Sequence, residues 1–184
     1  KCRRTGVNIN REVIGYDISD QRLKDLRVGI DKTLEVEHEK LVASKLVLTN
    51  NISTLAKADV FIVTVPTPVD SSKRPDFHPL INASTTVGKA LKARRDYLRM
   101  RGAMYTTPLV IYESTVYPGA TEEICVPVLC QESGLEYNNY SAGFVCGYSP
   151  ERINPGDAEH KLTQIVKITS GSTPLASDFV DSLY

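Results

Sequence analysis

Three times in this chain an apolar, β-branched run stops abruptly at a polar turn, and that pattern restricts the fold more than any other feature. The runs are Val60–Val65 before Pro66-Thr67-Pro68, Leu109–Tyr112 before Glu113-Ser114-Thr115-Val116-Tyr117-Pro118-Gly119, and Val145–Tyr148 before Ser149-Pro150-Glu151-Arg152-Ile153-Asn154-Pro155-Gly156. Runs this short do not make helices of ordinary length, and their composition suits strands of a buried parallel sheet. In an open α/β sheet, the turns at the carboxyl ends of the strands are where ligands bind.

The remaining segments alternate with these strands. Arg11–Asp17 reads as a short strand ending in an acid, and Ser19 or Asp20 can cap an amphipathic helix running to Gly29. A polar, helical stretch around Glu35–Ser44 follows, then a strand over Lys45–Thr49 and a short segment Ile52–Ala58. Pro66, Pro68 and Pro75 predict an extended, exposed loop over residues 67–78, because proline fixes its own φ and biases the preceding residue away from the α region. The pattern from Pro79 to Arg95 is helical, with Leu80, Ala83, Val87, Ala90 and Leu91 as its apolar stripe. Arg94–Met104 is basic and reads as an insertion before the next strand. A helix over Gly119–Cys130, a later strand over Ile165–Ile168 and a last helix over Pro174–Tyr184 complete the pattern. Strands alternating with helices of this length predict an α/β fold with a doubly wound parallel sheet.

Composition excludes several function classes. The 184 residues suffice for one domain with its own core, and 41% apolar with 24% charged residues is ordinary for a globular protein. No apolar stretch approaches the roughly 20 residues of a membrane helix, and the basic Lys1-Cys2-Arg3-Arg4 start lacks the apolar core of a secretory signal. A cytoplasmic location is the expectation. With 22 basic and 22 acidic residues the net charge is zero, which makes no electrostatic case for nucleic acid or a membrane surface as a partner. Cys2, Cys125, Cys130 and Cys146 form no C-x-x-C pair, and His38, His78 and His160 share no metal-ligand spacing, so no metal site is expected. The cysteines read as reduced, Cys125 and Cys130 as packing thiols on a helix behind the sheet, and the histidines as solvent-facing.

Four places carry candidate chemistry, each with a plainer alternative. Asp17 ends a strand and Arg22 follows five residues later, so the carboxylate can accept the ribose hydroxyls of an adenosine while the guanidinium covers the base or a phosphate. The alternative is a helix-capping acid beside a solvated arginine. Pro66 and Thr67 close a strand with a rigid backbone and one hydroxyl, or merely form its exit. Ser114 and Thr115 line the crevice or cap a helix. Ser149–Gly156 puts an acid, a base and an amide on one stiff loop, against the alternative of a plain surface turn.

Taken together, Asp59–Pro68, Tyr112–Gly119 and Gly147–Gly156 resemble the bacterial UDP-N-acetylhexosamine 6-dehydrogenases, a branch of the UDP-glucose/GDP-mannose dehydrogenase family, from about Arg11 to the last residue. The resemblance implies a Rossmann-like NAD-binding domain and oxidation of the C6 alcohol of a UDP-sugar to the uronic acid, for surface polysaccharide precursors. It implies NAD contacts from Asp17, Arg22, Pro66, Thr67, Ser114 and Thr115. Thr115 and Glu151 would hold the catalytic water and the reacting sugar, while Glu151, Arg152, Ile153 and Asn154 would contact the UDP-sugar substrate. Pro155 stands where glucose-specific relatives carry a second glutamate, which favours an N-acetylated hexosamine.

The chain also departs from the family. Lys1–Asn10 contains one glycine, Gly6, and neither the buried first strand nor the glycine-rich phosphate turn. An incomplete doubly wound parallel sheet lacking that strand is therefore expected, with two bared strand edges. The resemblance places the catalytic cysteine and the UDP-binding module in central and C-terminal domains beyond residue 184. Residues 1–184 thus read as a partial NAD-binding domain, inactive alone, with a homodimer implied for the complete protein and the assembly of this chain open. A non-catalytic nucleotide or UDP-sugar binding module is the rival reading. A product that does not fold stably, and a different dinucleotide-dependent dehydrogenase, are the remoter ones.

Overall fold

The computed structural model describes residues 11–150 and 166–184. Strand β1 (Ile14–Tyr16) pairs in parallel with β2 (Val47–Thr49), and helices α1 (Asp20–Arg27) and α2 (His38–Ala43) lie between them in sequence. A 3₁₀ turn (Ile52–Lys57) leads into β3 (Val60–Val63), followed by the 23-residue helix α3 (His78–Met100) and β4 (Leu109–Tyr112). A π-helical turn (Thr121–Cys125) continues into α4 (Val126–Ser133), then β5 (Glu136–Tyr137), β6 (Gly143–Tyr148), β7 (Ser170–Gly171) and α5 (Pro174–Leu183).

Strands β3, β4, β6 and β5 form one parallel path in that order, and β7 joins the far end of β6 antiparallel. Among the described residues β1 bonds to β2 alone and β3 to β4 alone, so their pairing falls into two pieces; the first strand expected to be lacking would fall in residues 1–10, outside the described residues. The larger piece is covered on both faces. Along β4, Val110 and Tyr112 join the core under α3 and α4, while Leu109 and Ile111 face Ala176 and Val180 of α5. This period of two explains why all four β4 residues are buried. Phe144 and Cys146 against Val145 repeat the alternation on β6.

Two glycines allow close approach. A Cβ at Gly147 would lie 2.6 Å from Val180 Cγ2, where α5 presses on β6, and one at Gly88 would lie 2.6 Å from Glu132 Cβ, where α3 crosses α4. Inside the core, the Ser84 hydroxyl donates to Leu80 O (2.8 Å) and meets the Tyr112 hydroxyl (2.8 Å), so neither buried polar group is orphaned.

Several expectations need correction. Helix α3 runs past Arg95 to Met100 and ends at Gly102, whose φ of 61° lets the Gly102 and Ala103 amides return to the Arg99 and Leu98 carbonyls. Arg94, at the start of the stretch read as a basic insertion, is a buried residue. Its guanidinium donates to Ala58 O (2.8 Å), Thr106 O (2.9 Å) and the Asp59 carboxylate, fastening α3 to the strands beside it. The strand expected over Ile165–Ile168 is not there. Ile165 lies outside the described residues, Val166 and Ile168 are exposed, and the pairing falls instead at Ser170–Gly171. Gly171 has no side chain to keep the first turn of α5 away, since a Cβ there would sit 2.2 Å from the Ser177 amide nitrogen. The helix expected over Glu35–Ser44 shortens to His38–Ala43, and the one expected from Gly119 begins at Thr121 and runs on to Ser133. No helix of the described residues is long and apolar enough to cross a membrane.

Candidate functional site

Parallel registration delivers three of the candidate turns to one edge. Val63, Tyr112 and Tyr148 stand side by side at the ends of β3, β4 and β6. The ladder extends one step further, with the Glu113 amide donating to Val63 O (2.9 Å) and the Ser149 amide to Tyr112 O (3.0 Å). Consequently the turns carrying Pro66 and Thr67, Ser114 and Thr115, and Ser149 and Pro150 all leave the sheet at its carboxyl edge. Glu151, Arg152, Ile153 and Asn154 lie outside the described residues.

The hydroxyls at this edge differ in what they touch. Ser114 is buried, and its Oγ donates to Val65 O at 2.6 Å, tying the second turn to the first. Thr115 is exposed. Thr67 Oγ1 and Ser149 Oγ are buried without a hydrogen-bond partner among the described residues. A buried hydroxyl left unpaired costs about 1–3 kcal/mol, so two at one edge mark places where a bound polar group would be stabilising.

Asp17 sits at the carboxyl end of β1, in the smaller sheet piece, with its amide donating to Thr49 O (3.2 Å). Oδ1 accepts the Ser19 amide (2.8 Å), and Arg22 Nε lies 3.6 Å from Oδ2. Ser19 caps α1 by accepting the Arg22 amide, which resolves the choice between Ser19 and Asp20. Arg22 also reaches Asp31, whose carboxylate the sequence reading passed over. The Thr33 hydroxyl, followed by the Thr33, Val36 and Glu35 amides, holds that carboxyl below its usual range. Asp17 keeps a third of its side chain exposed and Arg22 somewhat more. This arrangement fits a ribose: a carboxylate with free lone pairs, beside a cation, at the end of a parallel strand.

A cavity of about 390 Å³ opens beside these turns and not at Thr115 itself. It is lined by Tyr117, Gly119, Glu122, Cys146, Tyr148 and Ser172, among others, and none of Asp17, Thr67 or Thr115 faces it. Burial pushes the Cys146 thiol well above its ordinary range and raises Cys125 as well, so neither is poised as a nucleophile. His38 is exposed, as expected, and its Nδ1 lies 2.9 Å from Gly29 O.

A further cluster at the edge was not foreseen. Lys167 Nζ lies 3.2 Å from Glu113 Oε2 and 4.8 Å from the centre of the Tyr184 ring, and the Tyr184 hydroxyl donates to Glu113 Oε1. Two signals were present in the sequence: an acid directly at a strand end, and a lone lysine inside the apolar run Ile165-Val166-Lys167-Ile168.

Residues 5–184 match the UDP-glucose/GDP-mannose dehydrogenase family, NAD binding domain. The chain belongs to that family. It is 54% identical over 175 residues to the UDP-N-acetyl-D-glucosamine 6-dehydrogenase of Pseudomonas aeruginosa, a stretch covering 95% of this chain and 38% of that protein. The corresponding enzyme of Salmonella typhi is 45% identical over 176 residues, again 95% of this chain and 38% of that one. Among solved structures, the UDP-D-ManNAc dehydrogenase of Pyrococcus horikoshii superposes with a TM-score of 0.70 at 29% identity, covering 94% of this chain and 38% of the other. The UDP-glucose dehydrogenase of Pyrobaculum islandicum, at 22% identity, shares the fold with a TM-score of 0.74 over 94% of this chain and 38% of its own. The chain thus spans about 38% of the length of the dehydrogenases it matches. The cofactor class of this family domain is NAD.

Proposed function

We propose that this chain forms the NAD-binding part of a UDP-N-acetylhexosamine 6-dehydrogenase, acting on the C6 alcohol of an N-acetylated UDP-sugar. The observation that carries the reading is the shared carboxyl edge of β3, β4 and β6, where the Thr67, Thr115 and Pro150 turns stand next to one another. The 54% identity to a UDP-N-acetyl-D-glucosamine 6-dehydrogenase supports the substrate class.

Each residue then has a task. Asp17 accepts the hydroxyls of the adenosine ribose, and Arg22 lies beside it over the base or a phosphate. Pro66 and Thr67 line the dinucleotide crevice, with Thr67 Oγ1 gaining the partner it lacks. Ser114 holds the Pro66 turn in place through Val65 O, and Thr115 positions a water beside the reacting carbon. Glu151 shares that water and the sugar, and Arg152, Ile153 and Asn154 contact the UDP-sugar. When bound, NAD⁺ supplies the hydride acceptor.

Oxidation through the aldehyde to the acid calls for a nucleophile as well, and the buried, raised thiols of Cys125 and Cys146 do not suit that task. We therefore infer that this polypeptide alone binds its ligands without completing the four-electron oxidation. Titration calorimetry with NAD⁺ and UDP-GlcNAc, together with NADH formation, tests both parts. Binding of both ligands without appreciable NADH is the expected result. No binding of either ligand would remove the proposal, and turnover at the rate of a complete dehydrogenase would remove its second half.

A further inference from the structure

Beyond those assignments, and resting on the reading of this edge as a UDP-sugar site, we propose that Lys167 is a positioning residue that locks the Ser149–Pro150 turn to the Ser114–Thr115 turn. Its ammonium is nearly buried, with 9% of the side chain exposed, and Glu113 keeps only 18%. Lys167 Nζ donates to Glu113 Oε2 (3.2 Å) and reaches Pro150 O (3.4 Å), while the Tyr184 ring lies beneath it at 4.8 Å. Tyr184 occupies the other Glu113 oxygen with its hydroxyl. Every strong acceptor in the cluster therefore has a donor, as a desolvated ion pair requires.

The cluster is placed where alignment matters. Glu113 is the first residue after β4, one before Ser114, and Pro150 is the second after β6. Ser114 in turn donates to Val65 O. A continuous set of contacts thus runs from Val65 through Ser114, Glu113 and Lys167 to Pro150, joining the ends of three parallel strands. Small displacements of groups that must converge on one carbon are costly in rate and affinity, and the cluster restrains one turn relative to the other.

A merely structural ion pair is separated from a positioning one by removing both charges at once. Lys167→Met strands Glu113 in a nearly dry site and should lower the melting midpoint; Glu113→Gln/Lys167→Met should recover much of it. The double variant is nevertheless expected to bind UDP-GlcNAc at least tenfold more weakly by calorimetry, with NAD⁺ affinity within twofold of the unaltered chain. Lys167→Arg, which keeps the charge, should retain most of the UDP-GlcNAc affinity. A double variant that binds UDP-GlcNAc like the unaltered chain would overturn the proposal.

If the unaltered chain binds NAD⁺ but no UDP-GlcNAc, the substrate reading has failed by itself and hydrogen exchange decides the question. Tenfold faster exchange at the Glu113 and Ser149 amides in the double variant, with Val110 unchanged, supports the restraint. Equal exchange at all three overturns it.

Discussion

The two pieces of the sheet are built to different standards. In the β3–β4–β6 piece, β4 is buried at every position, Phe144 and Ile111 are inaccessible to solvent, and the buried Arg94 and Ser84 side chains are hydrogen-bonded. In the β1–β2 piece each strand is three residues long, α2 buries nothing, and Val13, Ile18, Leu34 and Val42 are exposed. Leu23 is its one buried anchor on α1. The proposed sugar edge therefore belongs to a rigid frame, whereas the proposed ribose contact at Asp17 belongs to a lightly packed one. Cofactor affinity and global stability should respond to different substitutions.

The largest contrast comes from deleting apolar volume on each side. Ile111→Ala opens a cavity between the sheet and α5 and should cost about 3–4 kcal/mol, whereas Val42→Ala, at an exposed position, should stay within about 0.5 kcal/mol. Urea denaturation with unchanged slope measures both. Equal losses would show that the smaller piece, whose Ile14 and Tyr16 lie against the main core, is packed as tightly as the larger one.

Next in size is Arg94→Met, which keeps the volume of the stem and removes the guanidinium. The Ala58 and Thr106 carbonyls then lose their donor, for an expected cost of about 2–3 kcal/mol. The same urea experiment reads it. A neutral result would show that the guanidinium contacts contribute nothing to holding α3 against the strands.

That residue shows where reading the chain reached its limit. Leu109–Tyr112 was legible to the residue, because four large apolar side chains in a row between Pro108 and Glu113 fit a strand covered on both faces and little else. The placement of Thr67 and Thr115 at strand ends followed from the same runs. The end of α3 did not, since Arg94 and Arg95 look alike in sequence and only the fold decides that one is buried. Nor did the Glu113 cluster, whose members are 54 and 71 residues apart and meet only through the order of the strands. Ser114 was legible as a site residue, but the destination of its hydroxyl, Val65 O, was not. Local pattern specifies elements; long-range partners of polar groups follow from topology.

On the lightly packed side, Asp17→Ala should separate binding from folding. The carboxylate accepts one local amide and faces Arg22, so its removal should change stability by only about 0.5 kcal/mol. NAD⁺ affinity should fall about tenfold, close to 1.4 kcal/mol. Calorimetry and thermal melting on one sample give both numbers. A large melting shift without loss of NAD⁺ affinity would make Asp17 a helix-capping acid and nothing more.

The smallest effect expected is a pH response confined to the same piece. Asp31 accepts the Thr33 hydroxyl and the Thr33, Glu35 and Val36 amides, and these bonds depress its carboxyl in the folded state. A depressed folded value means that the stabilisation is present above the unfolded carboxyl value of about 4 and is lost as pH falls through the folded one. Hydrogen exchange between neutral pH and about pH 3, corrected for intrinsic rates, should show the Thr33, Glu35 and Val36 amides losing protection first, while Val110 and Val145 in the larger sheet hold. Asp31→Asn should show the same local loss already at neutral pH, because an amide oxygen is a weaker acceptor than a carboxylate. Simultaneous loss of protection in both pieces would mean that acid acts on the core as a whole, and that the difference in packing between the two halves does not extend to their stability.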